Sequence, residues 1–253
     1  MPGSSSGTLL VVVQGAVGGQ LAAPYYTEKG LTMGCKVCRY LGWIANPKTR
    51  QADPCPECGG RAAPGMPMHE DTILYPTLRK YVRETSPESY LEIGTREGAS
   101  LATVIVADTD RHIKRLAIVD PWGGDFGGSG RGNHLHIERL LADLKYTGEA
   151  LFYDDYSRHV LKKVRGCFDL ILVDGDHSAP GCLFDMTTSI EKLCVGGLMI
   201  IDDVTHPEHS YLMDVVEKFC LEHSDITMIY ASTEYSGVAV LQKNKKVESV
   251  KNV

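Results

Sequence analysis

Two Cys-x-x-Cys pairs, Cys35-Lys-Val-Cys38 and Cys55-Pro-Glu-Cys58, stand sixteen residues apart in the first quarter of the chain. Each pair makes a tight turn that aims two thiolates at one point, and two such turns complete a tetrahedral four-sulfur zinc site with no open position. Gly34 and Gly59-Gly60 supply the permissive backbone that such knuckles need. The expected role is structural, as a zinc ribbon holding a segment too short and too Gly/Pro-rich to bury a core. A pair of disulfides or a redox motif are the alternatives.

Carboxylates and an imidazole gather in the C-terminal half, at Asp174-Gly-Asp-His177 and at Asp202-Asp203. Each group follows an apolar run that reads as a buried strand. Strands separated by one helix are neighbours in a parallel sheet, so Asp174, Asp202 and Asp203 can surround one cation. Hard oxygen ligands suit Mg2+, with Mn2+ second. His177, three residues past Asp174, is placed to take a proton from a substrate hydroxyl at neutral pH. A metal there would orient the substrate oxygens and lower the pKa of the hydroxyl. Blander readings stay open: Asp176 in place of Asp174 as ligand, Asp202 as a helix cap, and His177 as a plain loop histidine. His206 and His209 either line an acceptor pocket or cap the next helix.

The third feature is Glu92-Ile-Gly94-Thr-Arg-Glu-Gly98, with Thr95 inside it and Ser100 just beyond. Its glycines let backbone approach a ligand, and the helix N-terminus that follows favours a carboxylate or phosphate. The next strand ends in Ile118-Val119-Asp120, where an acid can accept the ribose hydroxyls of a nucleoside. The one after ends in Tyr153-Asp154-Asp155, where an acid, Asp155 or its neighbour, can meet an adenine amino group.

These groups need a scaffold, and from about Asp71 helical and strand periodicities alternate. The spacing predicts a helix over 71–84 capped by Asp71, a strand over 89–93, a helix over 98–107 and a strand over 115–120. A Gly-rich loop over 121–133 follows, either a lid or a surface loop, then a helix over 134–146, a strand over 150–153, a helix over 157–164 and a strand over 168–173. A helix over 183–193, a strand over 197–201, a helix over 209–223 and two strands over 226–231 and 237–242 complete the pattern. The alternation implies an α/β protein with a parallel, doubly wound sheet closed by an antiparallel hairpin. Ligands then lie beyond the carboxyl ends of the strands, where all these polar groups fall.

Glu-x-Gly-x-x-x-Gly, the acid after the second strand and Phe168-Asp-Leu-Ile-Leu-Val-Asp-Gly-Asp-His177 together resemble class I S-adenosylmethionine-dependent methyltransferases. The Asp-Gly-Asp-His-Ser block with Gly196-Gly197-Leu-Met-Ile-Ile-Asp-Asp203 is similar to small metal-dependent O-methyltransferases related to macrolide sugar methyltransferases and cephalosporin-hydroxylase-like proteins. The resemblance covers roughly residues 71–242 and implies a Rossmann-like fold. It further implies the carboxypropyl chain of the cofactor over Gly94 to Gly98, ribose on Asp120, and catalysis by Asp174 and His177 with metal on Asp174, Asp202 and Asp203. The first acid of the later pair is often Glu in that group and is Asp202 here. Trp122 either walls the adenine or belongs to the core.

Composition sets the bounds. With 253 residues, 43% of them hydrophobic, the chain can build one α/β core and a small extra module. A net charge of −6 argues mildly against nucleic acid as the main partner, and a small-molecule hydroxyl acceptor is what the resemblance implies. A nucleic-acid methyltransferase using the zinc ribbon for recognition and a non-catalytic cofactor-binding scaffold are the other readings. No apolar run reaches the length of a membrane span. The layout reads as an arm over 1–30, loosely ordered or edge-forming, a ribbon segment over 31–66, the main domain over 67–245 and a polar tail over 246–253. Cys167, Cys182, Cys194 and Cys220 read as small buried hydrophobes of a reduced, cytoplasmic protein, and a homo-oligomer is compatible with the resembled group.

Overall fold

The computed structural model describes residues 73–123 and 133–245, together with the backbone of five short strands between residues 9 and 54. Those five are β1 (Leu9–Val12), the hairpin β2 (Tyr25–Thr27) and β3 (Gly30–Thr32), and the hairpin β4 (Trp43–Ala45) and β5 (Ala52–Pro54). The four cysteines of the two pairs, Asp71 and the loop 124–132 lie outside the described residues.

The main domain runs α1 (Leu74–Thr85), β6 (Ser89–Ile93), α2 (Ala99–Ala107), β7 (Arg115–Val119), α3 (His134–Asp143) and β8 (Glu149–Tyr153). It continues through α4 (Ser157–Val160) with a 3-10 turn over Leu161–Lys163, β9 (Phe168–Val173), α5 (Ala179–Ile190), β10 (Leu193–Asp202), α6 (Leu212–Glu222), β11 (Ile226–Ser232) and β12 (Val238–Lys243). The sheet order is β1-β8-β7-β6-β9-β10-β12-β11. From β8 to β10 the strands are parallel; β12 lies antiparallel between β10 and β11. The chain order reverses on either side of β6, so the switch point lies where β6 meets β9.

Alternate residues of each strand feed opposite faces, both of them covered, which is why the central strands β6 and β9 are apolar on both sides apart from Ser89, Glu92 and Asp169. Tyr90, Leu116, Ile118, Leu170, Leu172 and Ile200 pack under α1, α2 and α3. Leu91, Ile93, Ala117, Ile171, Val173 and Ile201 pack under α4, α5 and α6. Three layers result, with the polar strand ends along one edge.

Several expected boundaries move. Ile73, rather than Asp71, stands at the N-cap of α1, without a side-chain cap. α5 begins at Ala179, four residues early, because Ser178 accepts the Gly181 N–H and Pro180 falls in the first turn, where no N–H is needed. α6 starts at Leu212 because residues 203–212 are taken up by successive turns. The reading of Cys167 and Cys194 as buried free thiols is corrected: Cys167 is exposed, Cys194 half-buried, and the two form a disulfide joining the starts of β9 and β10. Cys182 is buried and free, and Cys220 is half-buried and free.

Candidate functional site

The turn leaving β6 is fixed from below and from both sides. Gly94 has φ +87°, and a Cβ there would lie 1.9 Å from the Asp174 carbonyl oxygen. Only glycine lets the end of β6 nest against the end of β9. Gly98, at φ +83°, is the N-cap of α2 and would collide with Leu140 and Ile137 if it carried a side chain. No side chain caps α2 and no acid occupies its first turn, so that helix end favours an anion.

Glu92 lies under this turn and has no solvent exposure. It accepts hydrogen bonds from Tyr90 Oη at 2.5 Å and Ser100 Oγ at 2.9 Å. Burial pushes its carboxyl up to about 7, against the opposing hydrogen bonds of Tyr90, Ser100 and Thr95. Glu92 and Ser100, grouped with the cofactor in the sequence, therefore brace the turn from the interior. Asp120 acts on the same turn: Oδ2 accepts the N–H groups of Thr95 at 2.8 Å and Arg96 at 2.7 Å, and Oδ1 accepts that of Trp122 at 2.6 Å. Its carboxylate is 7% exposed and engaged with backbone on both oxygens, where a ribose was expected.

At the neighbouring strand ends the structure brings Asp154, not Asp155, against Trp122. Trp122 Nε1 donates to Asp154 Oδ1 at 2.7 Å, and His134 Nδ1 lies 2.7 Å from Oδ2 while its ring stacks on Phe152. Asp155 turns to His159 at the start of α4, and the His159 hydrogen bond is the main cause that lowers its pKa.

Across the switch point, Asp174, His177 and Asp203 each bring one ligand atom to within 4.8 Å of the others. His177 Nε2 is 3.2 Å from Asp174 Oδ1 and 3.8 Å from Asp203 Oδ2, all three side chains being about one-quarter exposed (27%, 24% and 24%). Ser178, as the α5 cap, fixes the direction of the turn carrying His177. Asp176 accepts the Ser178 N–H at 2.9 Å and sits where a Cβ on Gly181 would be, so it faces α5 and Asp174 faces the cluster. Asp203 holds its place with φ +58°, a left-handed conformation that costs energy outside glycine. Burial tends to lower the His177 pKa, but the Asp174 hydrogen bond and the charges of Asp174, Asp203 and Asp176 raise it overall. Asp202 stands outside the converging set, 8% exposed, with Oδ1 buried and no hydrogen-bond partner among the described residues. Burial first, then the charges of Asp174 and Asp203, holds its carboxyl well above the usual range.

Sequence reasoning missed two groups. Tyr75 of α1 is half-buried, and its phenol is raised by burial first and then by the charges of Asp174, Asp202 and Glu92. It stands seven residues before Val82, on the same side of α1 as the apolar stripe and packed against the core, so nothing in its spacing marked it. His134 was read as the first residue of a helix, and nothing in its spacing linked it to Asp154.

A family model described as a methyltransferase domain matches residues 91–204. Among curated proteins, none matches the chain by sequence. Similar solved structures include the O-methyltransferase TomG of Streptomyces achromogenes, involved in tomaymycin synthesis and solved with SAM. It is 18% identical with a TM-score of 0.51, over 67% of this chain and 79% of that one. The SAH-bound methyltransferase PaMTH1 of Podospora anserina is 16% identical, TM-score 0.52, over 68% and 78%. An O-methyltransferase of Bacillus cereus in complex with SAH is 15% identical, TM-score 0.52, over 70% and 84%. At these identities the likeness is one of fold. The strand order with its inserted antiparallel β12 and the glycine turn at the switch point belong to the Rossmann-like fold that these methyltransferases share, and the methyltransferase-domain model matches the part of it from residue 91 to residue 204.

Proposed function

We propose that the chain is an S-adenosylmethionine-dependent O-methyltransferase acting on a hydroxyl of a small molecule, a sugar or glycosylated natural product before a catechol-like phenol. The observation that carries this is the convergence of Asp174, His177 and Asp203 beside the Gly94–Gly98 turn. S-adenosylmethionine, the methyl donor, would place its carboxylate at the open N-terminus of α2 and its adenine toward Trp122 and Asp154. With Nε2–H held by Asp174, the neutral His177 ring presents its Nδ1 lone pair, which accepts the hydroxyl proton. The resulting imidazolium is stabilised between Asp174 and Asp203. The transfer then depends mostly on how the acceptor oxygen is aligned with the methyl carbon.

The residues also fit a divalent cation, Mg2+ before Mn2+. Two carboxylates converge, and the buried Asp202 Oδ1 lacks a partner that a cation in this place would provide. Asp174 and Asp203 would hold it with Asp202 beneath, and when bound it would orient the acceptor and lower the pKa of its hydroxyl. Cys35, Cys38, Cys55 and Cys58 are assigned as structural zinc ligands; the β4–β5 hairpin, which lies between the two pairs in sequence, supports a ribbon.

Calorimetry with S-adenosylhomocysteine tests the cofactor, and no binding at millimolar ligand overturns it. Methyl transfer to a panel of sugar and phenolic hydroxyls, with and without EDTA, tests the rest. Activity lost on chelation and in Asp203→Asn supports the metal; full activity after chelation removes the metal and leaves the methyl transfer standing.

A further inference from the structure

His206, Glu208 and His209, on the turns after β10, form a separate cluster that the proposed reaction does not use. Each brings one ligand atom to within 4.8 Å of the other two. Their backbone is braced: the His206 N–H donates to Asp203 O at 3.1 Å, the His209 N–H to His206 O at 2.8 Å, and the Leu212 N–H to His209 O at 2.8 Å. The two imidazoles stack with centroids 5.2 Å apart, and His209 lies 5.1 Å from the His177 ring. His209 Nδ1 is buried with no hydrogen-bond partner among the described residues, an arrangement that a bound group would relieve.

We propose that His206, Glu208 and His209 hold a further divalent ion, of the Zn2+ type, on the turns beside His177. Two imidazoles and one carboxylate make a nitrogen-rich set that suits Zn2+ over Mg2+, and three protein ligands leave a position open. Loading gives up the long 3.2 Å contact from the Glu208 N–H to His206 Nδ1. The site is independent of the methyl-transfer reading, since it needs only the geometry of this turn.

The test uses the full chain, stripped by chelator and titrated with Co2+ in millimolar Mg2+, which occupies a hard-oxygen site. Absorption distinguishes cobalt on thiolates, with intense charge-transfer bands, from cobalt on imidazole and carboxylate. One equivalent without the thiolate signature is expected in the parent chain and in Asp203→Asn, and none in His206→Ala/His209→Ala. Retention of that equivalent in the histidine variant, or its loss in Asp203→Asn, overturns the proposal. Should the double variant fail to fold by circular dichroism, the exposed Glu208→Gln decides. Its Co2+ affinity should fall by about tenfold or more, as loss of a metal-site group does, and unchanged affinity refutes the site.

Discussion

Glu92→Gln isolates the energetics of the buried carboxyl beneath the glycine turn. Glu92 has no solvent exposure, and its neighbours Tyr90 and Ser100 offer hydroxyls, which a glutamine carbonyl can still accept. Burial raises the carboxyl from 4.5 to about 7 in the folded chain. Between those two values the native state binds more protons than the unfolded state. The stabilisation is therefore full below 4.5 and is lost as pH rises through about 7. A shift of that size corresponds to about 3 kcal/mol. Glutamine does not titrate, so the stability of the variant relative to the parent should climb by about 3 kcal/mol from pH 4.5 to pH 8. The other buried acids, Asp185 (raised to about 7) and Asp202, are present in both chains and largely cancel in the difference. Urea unfolding of both proteins in chelator, at matched ionic strength across this range, reads it directly. Parallel curves, differing by a constant amount, would refute the assignment of a near-neutral carboxyl to Glu92.

Gly94→Ala should destabilise the chain by about 2–3 kcal/mol or more, from a forbidden φ and the clash with Asp174. It should also abolish S-adenosylhomocysteine binding, read by thermal shift with and without ligand. Asp120→Asn loses charge-assisted bonds to three backbone N–H groups and should cost about 2–4 kcal/mol while weakening cofactor affinity; equal affinity would count against the brace. In metal-free protein, NMR titration should place the His177 pKa above 6.5, falling in Asp174→Asn. Serine at both Cys167 and Cys194 should lower stability by about 3–4 kcal/mol under oxidising conditions, from the separation of 27 residues that the bond closes. Added reductant should erase that difference.

What the sequence conveyed, and what it withheld, follows from range. β6 and β9 are read to the residue because a short, mostly apolar run bounded by turn residues reads as a buried strand in a covered sheet. The acids at their ends were legible for the same reason. The start of α5 was not, since Pro180 and Gly181 read as breakers until Ser178 is seen to cap the helix. The choice between Asp174 and Asp176 turns on the Ser178 N–H, and that between Asp154 and Asp155 on Trp122 and His134, contacts that only a folded chain makes. Cys167 and Cys194 meet because the starts of β9 and β10 lie side by side, and neither side chain is buried, although their apolar flanks suggested that both were. Among the described residues, no helix is long and apolar enough to cross a membrane.

The antiparallel pairing of β1 with β8, Leu9 opposite Phe152 and Val12 opposite Glu149, has a practical consequence. It places a strand from the start of the chain against the outermost parallel strand, so two stretches far apart in sequence, residues 9–12 and the segment from residue 73 onward, share one sheet. In sequence, the cysteine-rich segment is an insertion between them. A shortened chain beginning at the main domain would leave β8 with a row of unsatisfied N–H and C=O groups, a template for pairing with a second molecule. Self-association of such a fragment would then report the loss of a sheet edge cover, and oligomer measurements on the enzyme need residues 9–12 in place.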